Sequence, residues 1–291
     1  MSSTFVHPEF IVETEWLARA LDDPGVRVLD CTQHLIPRPG NVLNDIKPGL
    51  EDFEKAHIPG AGFIDIERDI SDHGNPNLHF TLPDPERFAQ AIGRFGIGDD
   101  TMVVLYSTAN HWWATRVWWM LRVFGHDKAA VLNGGLQKWK RESLPIETGP
   151  GRPRQPARYT SNFRPGQVAD KEAVLAAVGA NEVCILNALR PEQHAGTGGT
   201  SYGRHGHITG SINVAAVNVV DQDNVFKSAA ELQRMFAGAL AKPRVITYCG
   251  GGIAASSATM LLTMLGHRNV QLYDASLAEW AADSSLPMQI Q

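Results

Sequence analysis

Short apolar runs alternate along this chain with longer segments of helical periodicity. The runs at residues 183–186, 245–248 and 270–273 have the length and composition of strands that are buried on both faces. Residues 255–266 carry apolar side chains at helical spacing and end at Gly266, a residue type that often terminates helices. Strands that alternate with helices predict an α/β fold, in which a mainly parallel sheet is flanked by helices.

The chain contains an internal repeat. Four segments of the first half resemble segments of the second half in the same order: 26–30 and 183–187, 57–61 and 207–211, 102–107 and 244–249, and 133–139 and 274–280. The interval from His126 to Trp139 also equals the interval from His267 to Trp280. A repeat of this size predicts two similar domains in tandem.

The boundary between the domains is predicted from a proline-rich segment. Residues 149–166 contain prolines at positions 150, 153, 156 and 165, and arginines are interspersed among them. This composition favours an extended connection over a helix. We therefore predict a first domain at residues 1–150 and a second at residues 166–291.

Composition narrows the class of protein. The 291 residues are 43% hydrophobic and 20% charged, with a net charge of −5, and the scattered basic residues predict no nucleic-acid partner. The N-terminus does not resemble a signal peptide and no apolar stretch is long enough to span a bilayer, so we expect no membrane association. Cys31, Cys184 and Cys249 lack metal-ligand spacing, which predicts reduced thiols in a cytoplasmic protein.

Cys249 is the candidate nucleophile. It follows the strand at 245–248 and precedes three glycines and a helix, so we expect it at the carboxyl end of a parallel strand, where α/β proteins bind ligands. The N–H groups of such a loop, together with the positive end of the helix dipole, stabilise a thiolate or an anionic sulfur adduct. The alternative is that Cys249 is a small buried apolar residue beside a tight glycine turn. For Cys31 and Cys184, a buried structural cysteine is the favoured interpretation.

Several segments together resemble the two-domain rhodanese family, the thiosulfate and 3-mercaptopyruvate sulfurtransferases. They cover nearly the whole chain and read HIPGAGFIDI (57–66), ATRVWWMLRVFGH (114–126), NGGLQKW (133–139), GHITGSINV (206–214), YCGGGIAAS (248–256) and YDASLAEW (273–280). The resemblance implies two tandem rhodanese-like α/β domains. The C-terminal domain would carry the catalytic cysteine and the N-terminal domain would be catalytically silent.

The first domain agrees with a silent role. Ser107 stands at the position of Cys249, and the loop that follows it is longer and has no glycine. His111 is a candidate base for this serine, although a loop that fills an empty site is the favoured interpretation. The tryptophans of the following helix, at 112, 113, 118 and 119, are expected to pack in the core and at the domain interface, with an aromatic platform for a ligand as the alternative.

The reaction implied by the resemblance has two steps. The thiolate of Cys249 takes the outer sulfur of a small anionic donor, thiosulfate or 3-mercaptopyruvate, and becomes a persulfide. Cyanide or a thiol then accepts that sulfur. No metal or organic cofactor is required. The loop whose backbone would bind the sulfur species consists of Gly250, Gly251, Gly252, Ile253 and Ala254.

One segment departs from the family pattern. The active domain of the family usually reads Asp-x-Arg before its substrate loop, whereas this chain reads Asn187-Ala188-Leu189-Arg190. Arg190 stands one place late, and such a shift within a strand would reverse the direction of its side chain. Arg190 is therefore either the cation that binds the donor or a structural or solvent-exposed residue.

The loop at 196–207 resembles the one that lies over the family's active site. Arg204 and His205 are its polar candidates for substrate binding, with solvent exposure as the alternative for both. The loop after Cys249 contains no cation, unlike thiosulfate enzymes of the family, and lacks the hydroxyl residues typical of mercaptopyruvate enzymes. The loop sequence therefore does not decide between thiosulfate and 3-mercaptopyruvate as the donor.

Two other functions remain possible on the same fold. A phosphatase of this fold needs an arginine six residues after its cysteine, and that position is Ala255. A non-catalytic sulfur carrier or binding module is the second alternative, and the missing Asp-x-Arg pattern is its best support.

Overall fold

The computed structural model describes residues 4–36, 38 and 45–290. Within the first half, the strands are β1 (Ile11–Val12), β2 (Val26–Asp30), β3 (Gln33–Ile36), β4 (Asp45–Pro48), β5 (Gly62–Phe63), β6 (Met102–Tyr106) and β7 (Ala129–Leu132). The helices of this half are α1 (Thr14–Ala20), α2 (Leu50–Lys55), α3 (Ile66–Ile70), α4 (Pro85–Arg94), α5 (Trp112–Val123) and α6 (Gly135–Arg141).

The second half repeats this alternation of strands and helices. Its strands are β8 (Val168–Ala169), β9 (Val183–Asn187), β10 (His207–Ile208), β11 (Ile212–Asn213), β12 (Arg244–Tyr248), β13 (Val270–Tyr273) and β14 (Met288–Gln289). Its helices are α7 (Lys171–Ala177), α8 (Pro191–His194), α9 (Ala229–Met235), α10 (Ala237–Leu240), α11 (Ile253–Met264) and α12 (Ser276–Trp280).

Each half is built on a five-stranded parallel sheet. The strand order is β5-β2-β6-β7-β1 in the first half and β11-β9-β12-β13-β8 in the second. The central pairs have matching registers, with Asp30 opposite Tyr106 in one sheet and Asn187 opposite Tyr248 in the other. Two antiparallel pairs, β3 with β4 and β10 with β14, lie outside these sheets. The predicted tandem α/β fold is therefore confirmed.

Helices α5 and α11 pack against each other and join the two halves. The hydroxyl of Thr115 on α5 lies 2.7 Å from that of Ser256 and 3.1 Å from that of Ser257 on α11. Trp113, Trp118 and Trp119 on α5 are each only about 1% exposed. These buried faces explain why neither helix shows a strongly polar side in the sequence.

The proline-rich connection lies along the first half. Backbone N–H groups of Ala157, Asn162 and Arg164 donate to carbonyl groups of the first half, and the hydroxyl of Tyr159 donates to the carbonyl of Phe124. The predicted division at residues 150 and 166 falls within this connection, which runs from the end of α6 to the start of β8. Among the helices in the described part of the chain, none combines the length and apolar character needed to cross a bilayer.

Candidate active site

Cys249 lies directly after β12, at the carboxyl end of the second sheet, and α11 begins four residues later. Its side chain is almost buried, with about 2% exposed. The predicted order of strand, cysteine, glycine loop and helix is thus present in the structure. The helix begins at Ile253, two residues earlier than its apolar pattern predicts, so Ile253 and Ala254 belong to its first turn.

Ser276 organises the loop around Cys249. Its Oγ accepts hydrogen bonds from the N–H groups of both Cys249 and Gly252, each at 3.1 Å, and donates to the carbonyl of Tyr273 at 2.7 Å. Ser276 has a φ of +51°, a left-handed conformation that is costly for a residue with a side chain. The three hydrogen bonds hold both ends of the loop to the start of α12.

The glycines of the loop meet two different steric demands. Gly252 has a φ of +73°, and a Cβ atom there would lie 2.5 Å from the carbonyl oxygen of Asp274. Gly250 has no such backbone requirement, but a Cβ atom there would lie 1.9 Å from the phenol end of Tyr202. Side chains are therefore excluded at Gly250 and at Gly252 by different neighbours.

Four backbone N–H groups of the loop remain available for a ligand. Ser276 occupies those of Cys249 and Gly252, whereas no acceptor in the described residues takes the N–H groups of Gly250, Gly251, Ile253 or Ala254. Those of Ile253 and Ala254 are also at the positive end of the α11 dipole. The loop after Cys249 therefore has backbone donors available for a ligand.

A cavity of about 460 Å³ opens in front of Cys249. Gly250, Gly251, Ile253 and Ala254 form part of its wall. Most of the remaining wall is apolar or aromatic and comes from both halves of the chain, including Leu35, Ile46, Phe80, Trp112, Trp113, Leu189 and Tyr202. The site is therefore a pocket between the two domains, and the first domain supplies much of its surface.

The loop that brings Phe80 and His79 to the cavity is fixed by polar contacts. Glu67 accepts a hydrogen bond from the N–H of Phe80 at 2.7 Å, and its other carboxylate oxygen lies 2.8 Å from Nδ1 of His79. Arg116 donates to the carbonyl of Phe80. Phe80 has a φ of +63°, and these contacts hold it in that strained conformation.

Asn187 performs the backbone role that its counterpart Asp30 performs in the first domain. Oδ1 of Asn187 accepts the N–H of Leu189 at 2.9 Å, and Oδ1 of Asp30 accepts the N–H of Thr32 at 2.8 Å. Both side chains are fully buried. The amide therefore preserves the turn after β9 without placing a carboxylate there.

Leu189 and Arg190 both line the cavity. Strand β9 ends at Asn187, and Arg190 is the residue that precedes α8. The expectation that a one-residue shift would reverse Arg190 is therefore wrong, because neither residue lies in a strand. Arg190 is exposed and forms no ion pair with any acidic side chain in the described parts of the chain.

The structure places Arg204 and His205 elsewhere. The Arg204 guanidinium donates to four carbonyl groups of the C-terminal segment, those of Trp280, Ala281, Asp283 and Leu286, at 2.6–3.1 Å. His205 is exposed, and neither residue is in the cavity wall. The substrate-binding role predicted for Arg204 conflicts with this geometry, because all three guanidinium nitrogens donate to carbonyl groups of the protein. His205 lies on the exposed surface outside the cavity.

Cys31 and Cys184 lie outside the cavity. Both are buried, and burial raises the pKa of Cys184 to about 11 and that of Cys31 well above its usual range. These two thiols stay protonated near neutral pH, as expected for structural cysteines.

The loop of the first domain is closed by its own contacts. Ser107 Oγ accepts the N–H of Ala109 at 3.1 Å, while Nδ1 of His111 lies 3.3 Å from Oδ1 of Asn224 in the second domain. Burial lowers the pKa of His111 to about 4. No hydrogen bond joins His111 to Ser107 among the residues that the structure describes, so the histidine does not activate this serine.

Tyr202 and Ser276 were not among the residues predicted for the site. The repeat carries a signal for Ser276, because its counterpart is Gly135, which has a similar φ of +53°. A serine that replaces glycine at a left-handed position in one domain only is a candidate for a special role. For Tyr202 the loop sequence carries no comparable signal.

Comparisons with known proteins follow the same two-domain division. A family model described as a rhodanese-like domain matches residues 13–142 and again residues 171–283. The 3-mercaptopyruvate sulfurtransferase of Escherichia coli K12 is 35% identical over 96% of this chain and 98% of its own length. The thiosulfate sulfurtransferase of Bos taurus is 33% identical, over 93% of this chain and 91% of its own.

A solved structure has the same arrangement of both domains. The crystal structure of SseA from Escherichia coli, described as a 3-mercaptopyruvate sulfotransferase with the rhodanese fold, superposes with a TM-score of 0.79 at 32% identity. The match covers 92% of this chain and 98% of that one.

Proposed function

The chain belongs to the rhodanese family of sulfurtransferases, and from this premise we propose that Cys249 is its nucleophile. The Cys249 thiolate attacks the transferable sulfur of an anionic donor and becomes a persulfide. A thiol or cyanide then takes the outer sulfur, and Cys249 leaves as the thiolate. Both steps use backbone donors of the loop and need no cofactor.

The surroundings of Cys249 carry this proposal. The N–H groups of Gly250, Gly251 and Ile253, in the loop that follows Cys249, have no protein acceptor in the described residues. Such groups stabilise negative charge on sulfur, both in the thiolate and in the persulfide. Because the cavity reaches Cys249, a small donor can approach the sulfur.

The charge of the cavity favours a donor with one carboxylate over thiosulfate. Arg190 is the only permanently charged residue in the part of the cavity wall that the structure describes. Leu189 stands where the family pattern has its arginine, so that position is apolar. A carboxylate donor of the 3-mercaptopyruvate type needs one cation, whereas thiosulfate carries two negative charges close together. We therefore propose that Arg190 binds the donor carboxylate.

We further propose a cytoplasmic location. All three cysteines are unpaired, which fits a reducing compartment.

Thiocyanate formation from cyanide tests the function. Wild-type protein is expected to produce thiocyanate with 3-mercaptopyruvate, and Cys249→Ser is expected to abolish it. Cys184→Ala is the matched control, since that thiol is buried in β9 away from the cavity. Intact-mass analysis after incubation with donor alone should show one added sulfur atom, in wild type and in Cys184→Ala only.

The carrier alternative has a different signature. A non-catalytic sulfur carrier would gain the added sulfur without releasing thiocyanate at a catalytic rate. A protein that neither turns over nor gains sulfur with either donor would contradict the proposed function.

A further inference from the structure

The ring of Tyr202 lies against the backbone next to the nucleophile. It belongs to the loop between α8 and β10, and its Cζ and Oη occupy the space that a side chain at Gly250 would need. Tyr202 also lines the cavity together with Cys249. The phenol is therefore part of the wall that faces the reacting sulfur.

Other residues of the loop, and not the hydroxyl itself, hold Tyr202 in this place. Two positions after it, Arg204 is fixed by the four carbonyl groups of the C-terminal segment. Two positions before it, the carbonyl of Thr200 accepts a hydrogen bond from Gln193 at 3.3 Å. Arg204 thus contributes to the site indirectly, by anchoring the segment that carries the phenol.

The hydroxyl of Tyr202 differs from those of the other four tyrosines. Tyr106, Tyr159, Tyr248 and Tyr273 each form a hydrogen bond through the hydroxyl to a protein group. That of Tyr202 has no such partner within residues 4–36, 38 and 45–290. Burial and the negative charge of the Cys249 thiolate raise the pKa of Tyr202, so the phenol stays protonated. A protonated donor without a partner therefore faces the cavity.

We propose that Tyr202 is a catalytic residue that donates its proton to the carbon-based leaving group of the donor. This inference rests on the proposed function of Cys249. The donor is the 3-mercaptopyruvate type of the proposed function, whose transferable sulfur is bonded to carbon. For such a donor the departing group is an enolate, which needs a proton to leave as a stable product.

The step balances in atoms and electrons. The thiolate of Cys249 forms a bond to the sulfur of the 2-oxo acid thiol, and the carbon–sulfur bond breaks with its electron pair on carbon. The sulfur is oxidised to the persulfide level, and the carbon is reduced. The phenol proton goes to the carbon of the enolate, which leaves as the 2-oxo acid. The thiol proton of the donor is released to water when the persulfide ionises, and the phenolate regains a proton from water.

The return step makes a different demand. Cyanide attacks the outer sulfur, the sulfur–sulfur bond breaks, and Cys249 departs as a thiolate that the loop N–H groups stabilise. No proton is transferred in that step. The two half-reactions therefore differ in their need for the Tyr202 hydroxyl, and a merely structural role would not separate them.

Rapid-mixing kinetics of the two half-reactions test this with Tyr202→Phe. The variant keeps the ring against Gly250 and lacks only the hydroxyl. Persulfide formation from 3-mercaptopyruvate should slow roughly a hundredfold, as expected for the loss of a general acid. Removal of the sulfur by cyanide, measured after long loading, should stay within about threefold of wild type, since it needs no acid. Tyr159→Phe, which loses a remote hydroxyl, should match wild type in both.

Each other outcome has a definite meaning. An unchanged rate of persulfide formation, or equal slowing of both half-reactions, would overturn the role of Tyr202. A variant that never loads yet melts at the wild-type temperature is the extreme form of the expected result. If wild-type protein itself forms no persulfide, the proposed function fails, and the inference that rests on it fails too.

Discussion

Arg116 of the first domain and Asp274 of the second form an ion pair, with Nη1 and Oδ1 2.7 Å apart. The arginine side chain is fully buried and the aspartate is 13% exposed. Nε of Arg116 and Oδ1 of Asp274 have no hydrogen-bond partner among the described residues, so this contact is electrostatic and not a bidentate hydrogen-bonded pair. Arg116 also donates to the carbonyls of Phe80 and Gly252, and it thereby links the cavity wall to the Cys249 loop.

Removing this arginine should destabilise the protein. Arg116→Ala leaves the carboxylate of Asp274 without its partner at the domain interface, a change that typically costs about 3–5 kcal/mol. Arg19→Ala on α1 is the control, because Arg19 and its partner Glu15 are 69% and 80% exposed and such pairs contribute about 1 kcal/mol or less. Urea unfolding measures both. Equal, small losses for the two variants would contradict the central role of Arg116.

The interface around Asp274 follows the pseudo-symmetry of the repeat. Asp274 Oδ2 accepts the N–H of Leu82 from the first domain at 2.7 Å. Its counterpart Asn133 accepts, through Oδ1, the N–H of Phe226 from the second domain at 2.9 Å. Each domain therefore receives a loop of the other at the same position, and only the second pairing carries a charge.

Ser276 provides a test of how the loop after Cys249 is held. Ser276→Ala removes the acceptor of two buried N–H groups, which should cost about 1–3 kcal/mol for each group. It also keeps a side chain at a φ of +51°, where glycine is more stable by about 1 kcal/mol. We therefore expect stability to fall in the order wild type, Ser276→Gly, Ser276→Ala.

Thermal melting and the rate of persulfide formation would check this order. Both variants should form persulfide more slowly than wild type, because the loop loses its anchor. A Ser276→Ala protein as stable and as active as wild type would show that the two N–H groups find another acceptor, and that Ser276 does not organise the loop.

The parts of the structure that repeat in the sequence could be predicted well. Local apolar patterns predict β12 and α11, and the position of Cys249 between them predicts that it lies at the carboxyl end of the strand. The other wall of the cavity could not be predicted, because Phe80 and Cys249 come to the same cavity only through the packing of one domain on the other. The contacts of Arg204 could not be predicted for a related reason. Its guanidinium binds carbonyl groups of a segment 76–82 residues later in the chain, and the sequence around Arg204 does not distinguish such contacts from contacts with a ligand.

The donor preference can be tested at Leu189. Leu189→Arg places a second cation beside Arg190 in the cavity wall, so kcat/KM for thiosulfate should rise about tenfold or more relative to 3-mercaptopyruvate, given about 1.5–3 kcal/mol for a charged hydrogen bond. Leu189→Met is the control for side-chain length without charge.

Arg190→Ala completes this comparison. If Arg190 binds the donor carboxylate, kcat/KM for 3-mercaptopyruvate should fall roughly 10- to 100-fold, through KM more than through kcat. Unchanged kinetics in Arg190→Ala would mean that the exposed guanidinium serves solvent contact only, and that the loop N–H groups alone hold the donor.

Asp30 gives a prediction for the dependence of stability on pH. Burial raises the pKa of its carboxyl from 3.8 to about 6, despite the hydrogen bonds from Thr32 that oppose the shift. The folded protein therefore holds this proton more tightly than the unfolded chain. Its contribution to stability is favourable near pH 4 and is lost as the pH rises through about 6.

Asp30→Asn should remove this loss, because the fully buried Asn187 occupies the equivalent position and accepts the same backbone hydrogen bond. The free energy of unfolding of the variant, relative to wild type, should increase between pH 4 and pH 7 by about 2–3 kcal/mol. Urea unfolding at several pH values measures this difference in the free energy of unfolding. Asp30→Ala also loses the acceptor for the N–H of Thr32, so it should be less stable than Asp30→Asn at every pH in this range. A difference between Asp30→Asn and wild type that stays constant over this range would mean that Asp30 is not held protonated by the fold.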